Sequence, residues 1–303
     1  MYLIIGDERD SCALAVRSGL ERRGRAVVVS PNPFGPAGRL RWRFDTETST
    51  LEYTCTGGPA DRGRTLEGVF VRSFIALQDI TGWTPEDAAY MRSEGMATLL
   101  AWLHVLACPV VGRPSDDAWY RPQRSLPEWV GVFAACGLTT PEVVVTNAPG
   151  VGGRLAAGWS GQAIYQPMTS PRSYLIHGSA WAELAKVMEH VPVCLLEPLE
   201  GPIGAVTLVG KRPFWTNPAP PGRDRLEEGV RRVAAWLESD FVQLSYQRAA
   251  DGPKFTAVNL QPLLDVHDPP DQERIADEIC GRLLPPGPSC SAGGARRNIE
   301  VPP

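Results

Sequence analysis

The chain has 303 residues, of which 43% are hydrophobic and 21% charged, and a formal net charge of −4. That length is enough to bury a sizeable core and ordinarily divides into two or three lobes; the composition is that of an ordinary soluble globular protein. Its acidic balance argues against nucleic-acid binding, because the short basic cluster Arg22, Arg23 and Arg25 falls at the end of a predicted helix, where it suits the helix dipole. Seven cysteines, at 12, 55, 108, 136, 194, 280 and 290, form no Cys-x-x-Cys pair. Their odd number and wide spacing speak against a disulfide framework or a zinc cluster and point to a reducing cytoplasm. The opening Met1–Gly6 is too short for a signal-peptide core. The most apolar stretch, 96–111, contains His104 and Pro109 and reads as a buried helix running into a strand, so no membrane span is expected.

In chain order, Tyr2–Ile5 is a short apolar run ending at Gly6, and Asp10–Arg23 is helical, with Ala13, Val16 and Leu20 on one face. Gly24 closes that helix and Ala26–Ser30 resumes as a strand, the opening of a parallel α/β sheet. Residues 41–54 alternate as a half-exposed hairpin does. Gly68–Val71 is a buried strand ending in Arg72. A helix over about 85–106 starts with Thr84 as cap, Pro85 in the first turn, and Glu86 and Asp87 at the positive end of the dipole. Pro109–Gly112 follows as a strand. Ser125 and Glu128 form a capping box for a helix carrying Trp129, Val132, Phe133 and Cys136, which Gly137 ends. Pro141–Asn147 is a strand, and the Gly- and Ala-rich 148–161 reads as a flexible connection. Helices are expected over 179–189, 224–237 and 272–284, the last stopped by Pro285-Pro286, with a disordered Pro/Gly/Ser-rich tail beyond. No internal repeat is visible.

Several segments in a fixed order carry a family resemblance. They are Gly68-Val-Phe-Val-Arg72 with the helix around Glu94; Gly137-Leu138, Pro141 and Thr146-Asn147; Val191–Gly201 with its Leu195-Leu-Glu197-Pro198-Leu199; and Phe255-Thr-Ala-Val-Asn259-Leu-Gln-Pro. The series resembles the ATP-grasp superfamily, in particular RimK-like ligases and the peptide-macrocyclising graspetide synthetases, and it covers roughly residues 1–284. The resemblance implies an α/β fold in three parts: a parallel pre-ATP-grasp-like α/β domain over 1–112, then two α+β subdomains over 113–192 and 193–285, with a tail over 286–303. It also implies ATP and magnesium as cofactors, a peptide or protein partner, and substrate contacts at Arg72 and Glu94.

ATP-grasp enzymes activate a carboxylate as an acyl phosphate, which an amine or hydroxyl then attacks. The crowded negative charge of that reaction requires metal ions and fixed cations, and magnesium requires hard oxygen ligands. The resemblance places the first lysine of such a site at Leu126 and the second at Gln166. The phosphate flap falls on Met168–Ser173, which has no glycine and whose one basic residue is Arg172. The purine-binding linker is retained at Glu197, Pro198 and Leu199. The arginine of the next strand is Ala205, the first metal-binding acid falls at or near Ser245, the second is Ala257, and Asn259 remains. Asn259 is either a remnant of the metal site or the cap of a turn, and Asp265 and Asp268 lie near enough in sequence to substitute.

Two readings follow. In the first, the chain is a catalytically degenerate pseudo-ligase that serves as a peptide- or protein-binding accessory component. In the second, it is an active carboxylate–amine ligase with a rearranged site, using Arg172, Lys211 or Arg212 as cations and Asp265 or Asp268 as metal ligands. Large aromatics such as Tyr165, Tyr246 and Trp215 packed into the nucleotide site would favour the first. Other chemistries lack support: Gly150-Val-Gly-Gly does not complete a dinucleotide fingerprint, no Gly-x-x-x-x-Gly-Lys loop or Gly-x-Ser-x-Gly elbow is present, and the four histidines lack ligand spacing.

Overall fold

A computed structural model describes residues 1–34, 38–44, 49–55, 66–72, 82–116, 119, 124–168 and 172–284; the expected tail and residues 169–171 of the expected phosphate flap lie outside these. The first lobe runs β1 (Tyr2–Ile5), α1 (Ser11–Arg22), β2 (Val27–Ser30), β3 (Gly38–Phe44), β4 (Ser49–Cys55), β5 (Gly68–Val71), α2 (Pro85–Val105) and β6 (Val110–Val111). Four of these strands form a parallel sheet in the order β2-β1-β5-β6, while β3 and β4 form the expected hairpin. All four residues of β1 are buried, as befits a central parallel strand covered on both faces. The caps are those the sequence announces. Asp10 accepts the Ala13 N–H, Thr84 accepts the Asp87 N–H, and Gly24 takes φ +70° after α1.

The second lobe comprises α3 (Leu126–Ala135), β7 (Val143–Thr146), α4 (Pro149–Gly158), β8 (Ala163–Gln166), β9 (Tyr174–Ile176), α5 (Ala180–Met188) and β10 (Val193–Leu196). Two expectations are corrected here. The flexible connection over 148–161 is a helix, α4, because tertiary packing overrides the low helix propensity of glycine. A Cβ on Gly152 would stand 3.1 Å from the Met188 methyl and 3.5 Å from Leu195 Cδ1, so the glycine lets α4 settle against α5 and β10. The boundary placed at 192/193 cuts through a sheet: β10 pairs with both β7 and β8 in the antiparallel order β7-β10-β8-β9. The central unit therefore includes β10, and the chain leaves it at Leu196.

The third lobe holds β11 (Ile203–Val209), β12 (Arg212–Trp215), α6 (Arg223–Trp236), β13 (Phe241–Ala249), β14 (Gly252–Asn259), a 3₁₀ turn (Leu264–Val266) and α7 (Pro269–Leu283). Its antiparallel sheet has the order β12-β11-β13-β14. One face, with Val206, Leu208, Trp215, Val242, Leu244, Tyr246 and Phe255, packs on α3 and α6. At one end of the sheet Val209, Phe214 and Phe241 join Tyr2, Ile4 and Phe70 of the first lobe, and α7 lays Ile275, Ile279 and Leu283 on α1 in the same cluster. First and third lobes thus share a core. Asp240 bolts the junction: Oδ1 accepts the Gly112 N–H at 2.8 Å and Oδ2 accepts from Arg282 Nη2 at 3.2 Å. Gly112 has φ +73°, and a Cβ there would lie 2.5 Å from the Val71 carbonyl, so no other residue fits.

A buried polar network occupies the sheet's other face beside that junction. Thr207 Oγ1 and His267 Nε2 are hydrogen-bonded at 2.8 Å, and Gln243 Nε2 donates to Thr207 Oγ1 at 2.9 Å and to the Leu263 carbonyl at 3.0 Å. Burial holds the His267 pKa below its usual 6.5 against the opposing pull of Asp271 and Asp268.

Two outcomes are expected. Asp240→Ala leaves the Gly112 N–H and the Arg282 guanidinium without their acceptor and should cost about 2 kcal/mol in urea unfolding, with Asp240→Asn intermediate. Because His267 is held neutral in the fold, the stability it contributes is complete above the unfolded pKa of 6.5 and is lost as pH falls below it. Melting temperature should therefore drop between about pH 7.5 and 5.5, and drop less in His267→Gln.

Candidate functional site

The open face of the third sheet is laid out by a β-bulge. Ser245 pairs with Ala257 and Tyr246 pairs with Phe255, so β14 carries one extra residue, Thr256. Without it Phe255 and Val258 would fall on opposite faces; with it both point into the helix-covered core, and Ala257 and Asn259 point the other way. Directly paired residues share a face, so the pairings Ala205–Ser245–Ala257 make one row across β11, β13 and β14, and Thr207–Gln243–Asn259 make the next. The first row holds the three positions at which the family resemblance expects arginine and two acids. It grades from buried Ala205 through half-buried Ser245 to exposed Ala257. None of the three carries a charge.

The linker over Glu197–Gly201 is tied to the same face just beyond that row. Gln247 Nε2 donates to the Leu199 carbonyl at 2.6 Å and to the Gly201 carbonyl at 2.8 Å. Lys254 Nζ lies 2.9 Å from Glu197 Oε2, and the same carboxylate accepts the Glu142 N–H at 3.1 Å. Burial alone would lower the Lys254 pKa, but the Glu197 and Asp251 carboxylates outweigh it and raise the value above 10.5. The lysine side chain is 13% exposed and committed to that pair. Glu197, Pro198 and Leu199 line a cavity of about 430 Å³ together with Glu200, Gly201 and 248–250. A Cβ on Gly201 would collide with the Arg248 carbonyl, so the linker depends on glycine at that crossing.

The remaining predicted positions are dispersed. Leu126 opens α3 as a core residue, 2% exposed, in the cluster with Trp129 and Phe133. Gln166 ends β8 opposite Cys194, on the central sheet's face that joins this same cluster. Arg72 is buried at the end of β5 and donates from Nε to Asp10 Oδ1 at 2.8 Å, whereas Glu94 is exposed on α2. Among the described residues no ion pair joins the two. Asn259 Oδ1 accepts the Gln261 N–H at 2.9 Å, the cap of its own turn. Asp268 caps α7 through the Asp271 N–H, and Asp265 is exposed in the 3₁₀ turn. Lys211 and Arg212 sit at the β11–β12 turn at the far end of the sheet, where Arg212 pairs with Glu278 of α7 at 3.2 Å. Arg172 is exposed ahead of β9. Among the described residues no group of three or more His, Cys, Asp or Glu is placed to hold a metal ion, and no helix is long and apolar enough to cross a membrane.

Tyr246 and Trp215, 5.7 Å apart by ring centroids, belong to the helix-covered core on the opposite side of the sheet from the row. Tyr165 stacks on Tyr174 against the cluster of α4 and α5. These aromatics are packing residues and do not fill the open face. Sequence reasoning also missed Lys254 and Gln247, whose only local signal was a polar residue every second position toward the β13–β14 turn.

No family model matches the chain, and no curated protein does. Solved structures match nearly its whole length. The macrocyclase MdnC from Microcystis aeruginosa MRC, bound with the precursor peptide MdnA, is similar at a TM-score of 0.71 and 11% identity, over 94% of this chain and 99% of that one. The ATP-grasp ligase PsnB, complexed with a minimal precursor, Mg and ADP, is similar at 0.66 and 17%, over 93% and 98%. A RimK domain ATP-grasp protein from Sphaerobacter thermophilus DSM 20745 is similar at 0.55 and 15%, over 93% and 98%. At these identities the likeness establishes architecture, and with the three sheets and the linker described above it gives the conclusion that the chain has the ATP-grasp fold of RimK-like and peptide-modifying ligases.

Proposed function

We propose that this chain is a pseudo-ligase: an ATP-grasp fold without the charges of ligase chemistry, serving in the cytoplasm as a peptide- or protein-binding accessory component. The observation that carries this reading is the Ala205–Ser245–Ala257 row. A magnesium–triphosphate complex needs hard oxygen ligands and fixed cations. Two methyls and one neutral hydroxyl supply no fixed cation and no carboxylate, Asn259 Oδ1 is engaged in its own turn, and Lys254 is matched by Glu197. Leu126, the position at which the family resemblance expects a lysine, is a buried core residue. The residues present do not fit the group, so no ligase step is assigned to them. Support for a peptide partner comes from the similar structures, since MdnC and PsnB are both solved with precursor peptides. The free thiols Cys12, Cys108, Cys136, Cys194 and Cys280 accord with a reducing compartment.

Each lost cation or oxyanion donor removes about 3 kcal/mol of transition-state stabilisation, or roughly a hundredfold in rate. Phosphate release from ATP with magnesium should therefore stay at the buffer background. A magnesium-dependent rate abolished by Asn259→Ala or Asp265→Ala would overturn the reading. Restoring the acids is the converse test. Ser245→Asp with Ala257→Glu places two carboxylates side by side on the open face, and millimolar magnesium should then raise the melting temperature by a few degrees. The same rise in the parent chain would contradict the proposal.

A further inference from the structure

Lys211, considered from the sequence as a replacement cation for a ligase site, instead lines a cavity of about 560 Å³ at the far end of the third sheet, between the β11–β12 turn, α6 and the end of α7. Four cations line this cavity, Lys211, Arg231, Arg232 and Arg282, against two carboxylates, Glu228 and Asp240. In a chain of net charge −4 that is a local positive surplus. Two of the cations are committed. Arg282 Nη2 lies 3.2 Å from Asp240 Oδ2, and Arg231 Nη2 lies 2.9 Å from Glu227 Oε2 while its Nε donates to the Lys211 carbonyl at 3.0 Å. Glu227 behind Arg231 still leaves the surplus positive. Among the described residues no hydrogen bond or ion pair engages Lys211 Nζ or the Arg232 guanidinium. The backbone makes room for the cluster: a Cβ on Gly210, which has φ +61°, would collide with Arg282 Nη1, so glycine at the turn lets the α7 arginine reach the cavity.

We propose that this cavity binds a diphosphate group without a metal ion. Like charges held together raise the energy of the empty site, and a multiply charged anion relieves it. A monocarboxylate answers one of the two uncommitted cations; a diphosphate, with charge on two phosphoryl groups, answers both. Guanidinium forks match phosphoryl oxygens in geometry as well as charge. The volume falls within the range of small-ligand sites, roughly 300–1,000 Å³, and leaves room for more than a lone ion. The group is carried by inorganic diphosphate or by a diphosphate ester. This site is independent of the pseudo-ligase reading, because its lining shares no residue with the Ala205–Ser245–Ala257 row. Magnesium also acts with the opposite sign. At a ligase site it completes the binding of phosphates, whereas here it neutralises the anion in competition with lysine and arginine.

The test is melting temperature of the full chain against inorganic diphosphate, ADP and succinate in metal-depleted buffer at matched ionic strength, then with magnesium added. Diphosphate should give a saturable rise, succinate a smaller one, and magnesium should weaken the response to diphosphate. Tighter binding of ADP identifies an ester as the source, and parity or weaker binding the free ion; both outcomes support the site. Lys211 and Arg232 are exposed, so Lys211→Ala and Arg232→Ala should leave the unliganded melting temperature unchanged. Each should weaken diphosphate binding by about tenfold, and Arg232→Lys should recover part of the loss. No saturable rise, a response to succinate equal to that to diphosphate, a rise that grows with magnesium, or an undiminished response in either alanine variant would overturn the proposal.

Discussion

One extra residue in β14 decides what the third sheet presents. The bulge at Thr256 lets Phe255 and Val258 both enter the core while Ala257 and Asn259 face outward. A slip of one residue would exchange the two faces and expose Phe255. The open face is then read in rows. Gln247 and Lys254 hold the linker; Ala205, Ser245 and Ala257 form an uncharged row; Thr207, Gln243 and His267 form a buried polar network. Below them Phe241 meets the core of the first lobe. The proposed function depends on that ordering.

The forces that keep the fold are separate from those a ligase site would need. Leu126, buried in a core cluster, contributes about 2 kcal/mol by its burial. Asp240 joins β6, β13 and α7 through one backbone and one guanidinium donor. These interactions require no nucleotide. A fold held in this way can lose its catalytic charges without losing its shape, and a binding surface is then sufficient reason to retain it.

Much of the architecture was legible in the sequence because it rests on local chemistry. Asp10, Thr84 and the Ser125–Glu128 box announce helices, Gly24 and Gly137 end them, and the β-branched runs mark buried strands. The ordered series from Gly68 to Asn259 identified the fold. What was hidden depends on contacts distant in sequence. α4 forms because Gly152 fits against Met188 and Leu195, a fact that glycine content alone misrepresents. The affiliation of β10 is settled by its pairing with β7 and β8, and the apolar run Val193–Leu196 is silent about its partners. The roles of Tyr246 and Trp215 turn on which face of a strand they occupy. Lys254 went unread in the sequence because its pairing with Glu197 spans 57 residues.

The most direct test of the central claim is calorimetric titration of the purified chain with ATP and a non-hydrolysable analogue, each with and without magnesium. An uncharged Ala205–Ser245–Ala257 row predicts no magnesium-dependent heat. Binding that strengthens when magnesium is added would mean that other residues supply the missing ligands, and would contradict the account.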